Sequence, residues 1–346
     1  MVGATGNVGT SVVGALGADG RVREIVGIAR RVPANRPAKT TYAAADVAVD
    51  GLVPLFQGAD AVVHLAWLFQ PTHDPMTTWT ANAIGSARVF DAVAEAGVPV
   101  LVYASSVGAY SPAPGRVVDE SWPTHSVPTA AYGREKAYVE RLLDSFEARH
   151  PEVRTVRLRP GFIFERESAT EQRRLFAGPF VPSSVARRRV LPFLPLPSGL
   201  RFQAVHSADV AQAYRLAVVN EVRGAFNVAA EPVIDAAALG RVLGTRVVEL
   251  PRAVVRAGLA TAWKLHLVPA APALLDLVLE LPLLDCTRAQ TELGWSPART
   301  GEDALREMLE GMAEGAGGDT PPLAADSPQG RAAEVATGVG ERDRPA

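Results

Sequence analysis

Gly3-Ala4-Thr5-Gly6-Asn7-Val8-Gly9 decides the fold of this chain, because the turn runs straight into an apolar run at helical spacing, Val8–Leu16. Three spaced glycines permit a tight turn, a close approach of backbone to a pyrophosphate, and close packing of a helix on a sheet. The N–H groups at the start of that helix then face the phosphates, where the helix dipole favours negative charge. Short β-rich runs follow at Glu24–Ile28, Ala61–Leu65, Val100–Ala104 and Val153–Leu158. Helical stretches lie between them at Thr78–Ala96 and Ala131–Arg149. Strands alternating with helices imply βαβ units and an α/β fold with a doubly wound parallel sheet.

Working outward, this Rossmann-type half is expected over residues 1–160. After Arg159-Pro160 the texture changes to a stretch rich in proline and arginine, with Arg187-Arg188-Arg189 as a solvated face. Residues 202–230 resume the α/β pattern with helix Ala208–Val219 and strand Ala225–Val228, so they join the cofactor half. Residues 161–201 and 231–312, mostly helical from 235, are expected to form a smaller substrate region. Residues 313–346 carry Gly, Pro, Ala, Asp and Glu without apolar periodicity and are expected to be a disordered tail, removable from 316 onward without loss of stability. At the other end only Met1 and Val2 precede the turn, where a buried strand of about 5–6 residues belongs. The natural start is therefore expected to lie upstream.

Composition narrows the function. A net charge of −2 over 346 residues offers no basic excess to hold nucleic acid. A single cysteine, Cys286, excludes a disulfide framework and a cysteine metal cluster, fits a reducing cytoplasm, and is read as a small buried apolar residue. No secretory signal is expected, because no basic segment followed by an apolar run and a cleavage site is read near residue 1. The most apolar later stretch, Leu267–Leu284, holds three prolines with Asp276 and Glu280, which suits packed helices rather than a membrane span. The expected partner is a small-molecule substrate, with neither nucleic acid nor membrane and no metal. A homodimer is an open expectation.

The cofactor pocket is expected to begin with Gly3, Thr5, Gly6, Asn7, Val8 and Gly9. About 20 residues on, an acid would bind the ribose 2′-hydroxyl of NAD. Ala29-Arg30-Arg31 stands there instead, and two guanidiniums without a carboxylate favour the 2′-phosphate of NADP over NAD. Asp46-Val47 ends the apparent third strand, where the carboxylate can meet an adenine amino group. Leu65-Ala66 ends the fourth, where small apolar residues let a cofactor lie flat.

Tyr132 and Lys136 stand four residues apart in a helical stretch, hence on one face. A free phenol has a pKa near 10 and is a poor acid or base at neutral pH. An ammonium beside it is expected to lower that value, while the lysine also holds the nicotinamide ribose. Val102–Tyr110 adds a strand ending in Ser105-Ser106 at the carboxyl edge of the sheet, where ligands of doubly wound folds bind. A hydroxyl there can hydrogen-bond a substrate oxygen as its charge changes.

Glycine turn, serine pair and Tyr-x-x-x-Lys in this order resemble the extended short-chain dehydrogenases/reductases, of the NAD-dependent epimerase/dehydratase group. The likeness covers roughly residues 2–298 and includes Arg159-Pro160-Gly161, Val205–Asp209, Phe226-Asn227-Val228 and Leu293–Pro297. It implies a catalytic trio of Ser106, Tyr132 and Lys136, with Tyr132 relaying the proton while hydride passes to or from a carbonyl carbon. It further implies Pro160 beside the cofactor, Asn82 shaping the site, and His206 and Asp209 linking the two regions. Members acting on nucleotide sugars often carry Asn where this chain has Phe162. An aromatic ring cannot make the hydrogen bond that the amide gives to a diphosphate, and with Trp67 and Phe69 it shapes a more apolar pocket. The leading expectation is thus an NAD(P)-dependent oxidoreductase for a small, apolar carbonyl or alcohol. Alternatives are a nucleotide-sugar epimerase/dehydratase and a non-catalytic NAD(P)-binding sensor or scaffold.

Overall fold

A computed structural model describes residues 1–69, 75–178 and 192–325. The Arg187-Arg188-Arg189 run and residues 326–346 lie outside the described residues. Helix α1 (Asn7–Ala18) follows the glycine turn, and strands β1 (Ile25–Ala29) and β2 (Thr40–Ala44) pair in parallel. Then come α2 (Val53–Phe56), β3 (Val62–His64), α3 (Pro75–Trp79), α4 (Gly85–Glu95), β4 (Val100–Ala104) and β5 (Val117–Val118). Helix α5 spans Ala131–Arg149, the span its apolar spacing predicts, and leads to β6 (Arg154–Pro160) and β7 (Phe162–Phe164). Next are α6 (Ala169–Gln172), β8 (Phe193–Pro197), β9 (Arg201–His206), α7 (Ser207–Val219) and β10 (Gly224–Val228). The chain closes with β11 (Ala230–Asp235), α8 (Ala236–Leu243), β12 (Arg246–Leu250), α9 (Arg252–Lys264), α10 (Pro272–Glu280), β13 (Leu283–Leu284) and α11 (Gly301–Glu314).

Strands β10, β6, β4 and β3 pair side by side, all in parallel. Between β3 and β1 stands a two-residue bridge in place of a strand. Val2 pairs with both Ile28 and His64, its N–H donates to Val63 O at 2.8 Å, and Ile28 N–H donates to Met1 O at 2.7 Å. Burial pushes the Met1 amine down to about 5. The spatial order β2-β1-Val2-β3-β4-β6-β10 is that of a doubly wound sheet, whose crevice opens at the carboxyl ends of the strands. Alternation along β4 serves both faces. Val102 joins Val12, Val210 and Tyr214 under α1 and α7, whereas Leu101 and Tyr103 join Phe90, Leu143 and Phe146 under α4 and α5.

Several expectations change. The helix read over Thr78–Ala96 contains a wider π turn at Thr80–Ile84, a device found at functional sites. Buried Asn82 sits in it. Strand β9, read with the cofactor half, instead pairs with β7 and β11, because Phe164, Ala204 and Ile234 belong to a separate core with Leu305 and Met308. The proline-rich stretch holds β8, which pairs in parallel with β12 inside the region read as mostly helical. Its prolines are tolerated because it pairs along one edge only.

The tail expected from residue 313 is also corrected over its described part. After α11 closes at Gly315, the Thr320 hydroxyl donates to the Thr5 carbonyl at 2.7 Å and Leu323 is buried. Arg174 donates to the carbonyls of Pro322 and Ala324 at 2.8 and 3.0 Å. This docking uses carbonyls and one leucine, so no periodicity announces it. Elsewhere, half-buried Cys286 lies 3.7 Å from the Ala229 carbonyl, and burial pushes its thiol up to about 12. Among the described residues no helix is long and apolar enough to cross a membrane.

Candidate active site

A cavity of about 300 Å³ opens where α1, β4, β6 and α5 converge. Its floor is the glycine turn. Gly3 has φ +83°, and a Cβ on it would stand 2.5 Å from Ala66 N; a Cβ on Gly9 would stand 2.2 Å from Gly3 O. Only glycine lets the turn close on β3 and on its own helix. At Gly6 a Cβ would meet nothing nearer than 4.0 Å, so open space lies over the start of α1. Gly6 caps that helix without a side-chain hydrogen bond, which leaves first-turn N–H groups available to an anion. This cradle fits a dinucleotide pyrophosphate.

Helix α5 presents Tyr132 and Lys136 to the same cavity. Gly108 makes room for the phenol, since a Cβ there would stand 2.8 Å from Tyr132 Cε1. Ser106 Oγ accepts from Gly108 N–H at 3.0 Å and lines the same cavity as the Tyr132 phenol. The sequence suggests that Lys136 lowers the Tyr132 pKa. Instead burial pushes the phenol up to about 12, with Ser106 opposing. Lys136 is turned elsewhere: Nζ donates to Ala104 O at 2.6 Å and lies 3.4 Å from the Trp67 ring centroid, against 6.0 Å from that of Tyr132. Burial also holds Lys136 well below its ordinary pKa, with Glu140 and Glu135 opposing.

Beneath this face lies a buried ionic network. Glu140 stands four residues after Lys136, accepts from Ser105 Oγ at 2.5 Å, and takes Arg159 through both oxygens at 2.9 and 3.0 Å. Arg157 adds a fourth bond at 2.8 Å. Burial raises the Glu140 pKa, but Arg159 and then Arg157 prevail and hold it at about 2. Ser105, Glu140 and Arg159 were not anticipated as a unit, although the four-residue step from Tyr132 through Lys136 to Glu140 signals a shared face. Asn82 pins the loop after β3, accepting from Leu68 N–H at 2.7 Å and donating to Leu68 O and to Glu135 Oε2 at 3.0 and 2.7 Å. Asp209 receives Ala298 and Arg299 N–H groups at 3.1 Å each, and His206 Nδ1 caps α7.

The fold therefore gathers Gly3, Gly6, Asn7, Val8, Gly9, Leu65, Trp67, Ser106, Tyr132, Lys136, Pro160 and Phe162 around one space. Among the other lining residues are Phe69, Leu175, Phe176, Leu277 and Leu281 together with the polar Glu171 and Gln172, residues in no recognisable motif. Thr5, Arg30, Arg31, Asp46, Val47 and Ala66 do not line it. Arg30 and Arg31 are exposed just past β1, Asp46 accepts from Ala48 N–H at 2.9 Å, and Val47 is buried.

A profile of the NAD-dependent epimerase/dehydratase family matches residues 1–229. An uncharacterized protein of Mycobacterium tuberculosis is 26% identical over 311 residues, 89% of this chain and 29% of that protein, so the chain spans less than a third of that relative's length. The decarboxylating sterol-4-alpha-carboxylate 3-dehydrogenase of Saccharomyces cerevisiae is 35% identical over 109 residues, 31% of this chain and 30% of that enzyme. The crystal structure of the UDP-glucose 4-epimerase of Thermus thermophilus in complex with NAD gives a TM-score of 0.67 at 22% identity, covering 90% of this chain and 97% of that one. At that identity the likeness concerns the fold.

Proposed function

Because the chain belongs to the NAD-dependent epimerase/dehydratase family, we propose that it is an NAD(P)-dependent reductase or dehydrogenase acting on an apolar carbonyl or alcohol. The observation that carries this reading is the lining of the cavity: Ser106 and Tyr132 face a wall of Phe69, Phe162, Phe176 and Leu277, and among the described lining residues Lys136 is the only cation. A nucleotide diphosphate needs more positive charge or donor groups than that wall supplies.

The bound nicotinamide would supply or take the hydride. The glycine turn and the start of α1 would hold the pyrophosphate, and Leu65, Lys136 and Pro160 the nicotinamide half. Residues 1–160 with 207–230 would carry the cofactor, and 161–206 with 231–312 the substrate. A protonated Tyr132 is a proton donor, which suits carbonyl reduction: the substrate oxygen accepts from Ser106 and Tyr132, and the phenol proton moves to it as negative charge develops. Arg30 and Arg31, with no carboxylate beside them at Ala29, favour NADP. The yeast relative, named as a dehydrogenase acting on a sterol carboxylate, agrees with an apolar substrate.

A turnover screen with NADPH and NADH against ketones, aldehydes and UDP-sugars tests this reading. Net cofactor consumption with ketones supports it. Sugar interconversion without consumption makes the chain an epimerase, and binding without turnover makes it a sensor.

A further inference from the structure

The catalytic cavity has a neighbour of about 450 Å³, and the two share Trp67, Phe69, Tyr132 and Leu274. Their common wall is aromatic, with the Tyr132 ring 4.7 Å from Phe69 and 5.9 Å from Trp67. Past that wall the lining is apolar at Trp263 and Pro272, carries Thr78, Thr129 and Glu135, and ends at exposed Arg134 and Arg256.

Two groups here are unused by the chemistry above. The Nε1–H of Trp67 is buried without a hydrogen-bond partner. Arg134 donates to the Pro128 carbonyl at 3.2 Å and forms no ion pair among the described residues, whereas Arg256 is committed to both oxygens of Asp276 at 2.9 Å. An uncommitted guanidinium matches a carboxylate fork to fork.

We propose that the second cavity binds the far end of the same substrate, an elongated amphiphile. Its carbonyl sits at Ser106 and Tyr132, its apolar body passes Trp67 and Phe69, and its carboxylate meets Arg134. This assignment rests on the reductase reading. It extends that reading from an apolar carbonyl to an apolar keto acid long enough to cross the aromatic wall.

The test compares reduction of a pentyl-substituted cyclohexanone with that of the matching keto acid, in which a carboxylate replaces the terminal methyl. The keto acid is expected to show about tenfold higher kcat/KM, mostly through KM, the worth of one charge-assisted hydrogen bond. Arg134→Gln should bring the ratio to near one, and Arg134→Lys should keep part of it. A ratio near one in the unmodified chain, or a tenfold ratio surviving in Arg134→Gln, overturns the proposal. If neither ketone turns over, the reductase reading fails and the subsite is judged separately by fluorescence titration with anilinonaphthalene sulfonate, an apolar body with one anionic group. Saturable binding that weakens fivefold or more in Arg134→Gln sustains the subsite, and equal affinity in both proteins refutes it.

Discussion

Glu140→Gln tests the platform beneath the face of α5 that carries Tyr132 and Lys136. Glu140 is fully buried and pairs through both oxygens with Arg159. A carboxyl held at about 2 instead of 4.5 contributes about 3 kcal/mol at neutral pH, at roughly 1.4 kcal/mol per pH unit. Breaking a buried pair by removing one partner costs about 3–5 kcal/mol, a range that overlaps this figure. Arg157 retains Asp144 and Glu147, so Arg159 is the guanidinium left without a carboxylate. The expected loss is therefore about 3 kcal/mol, measured by urea unfolding at pH 7.

The pH dependence gives a second check. The folded carboxyl titrates below the unfolded one, so its contribution is full above about 4.5 and is lost as pH falls toward about 2. The gap between Glu140→Gln and the unmodified protein should narrow steadily below pH 4.5. A loss under about 1 kcal/mol at pH 7, or a gap that does not narrow, would refute the reasoning.

Tyr132→Phe should bind cofactor almost normally yet lose about 10²–10⁴-fold in turnover on a verified substrate, since only the proton donor is removed; unchanged turnover would remove Tyr132 from the mechanism. With the phenol pushed up to about 12, an absorbance titration of the unliganded protein should assign no phenolate to Tyr132 near neutral pH, and one appearing near pH 7 would reinstate a Lys136-activated tyrosine. Replacing Arg30 and Arg31 with alanine should erase a preference for NADPH; isothermal titration showing tighter NADH binding in the unmodified chain counts against it. Deleting residues 316–346 should cost about 2 kcal/mol through the lost burial of Leu323, seen as a Tm lower by several degrees. An unchanged Tm would mean that the Thr320–Thr5 contact carries no stability.

Local rules sufficed where they act between near neighbours. Three glycines at fixed spacing need a turn into a helix whatever the rest of the chain does, so the tight turn that opens α1 was legible from Gly3 to Gly9. Four-residue spacing put Tyr132 and Lys136 on one face of α5, and the order of motifs fixed the doubly wound sheet. The direction in which Lys136 points was not legible, because it is settled by Trp67 and Ala104, which lie 69 and 32 residues away in sequence. Desolvation likewise belongs to the assembled site: only when α5 packs into the crevice does burial outweigh the opposing effect of Ser106 and raise the Tyr132 pKa. Residues 315–325 made the same point from the other side, since one buried leucine and a few carbonyl contacts leave no periodic trace. Spacing determines which face a side chain shares, while its protonation and partners are decided by segments that meet only in the folded chain.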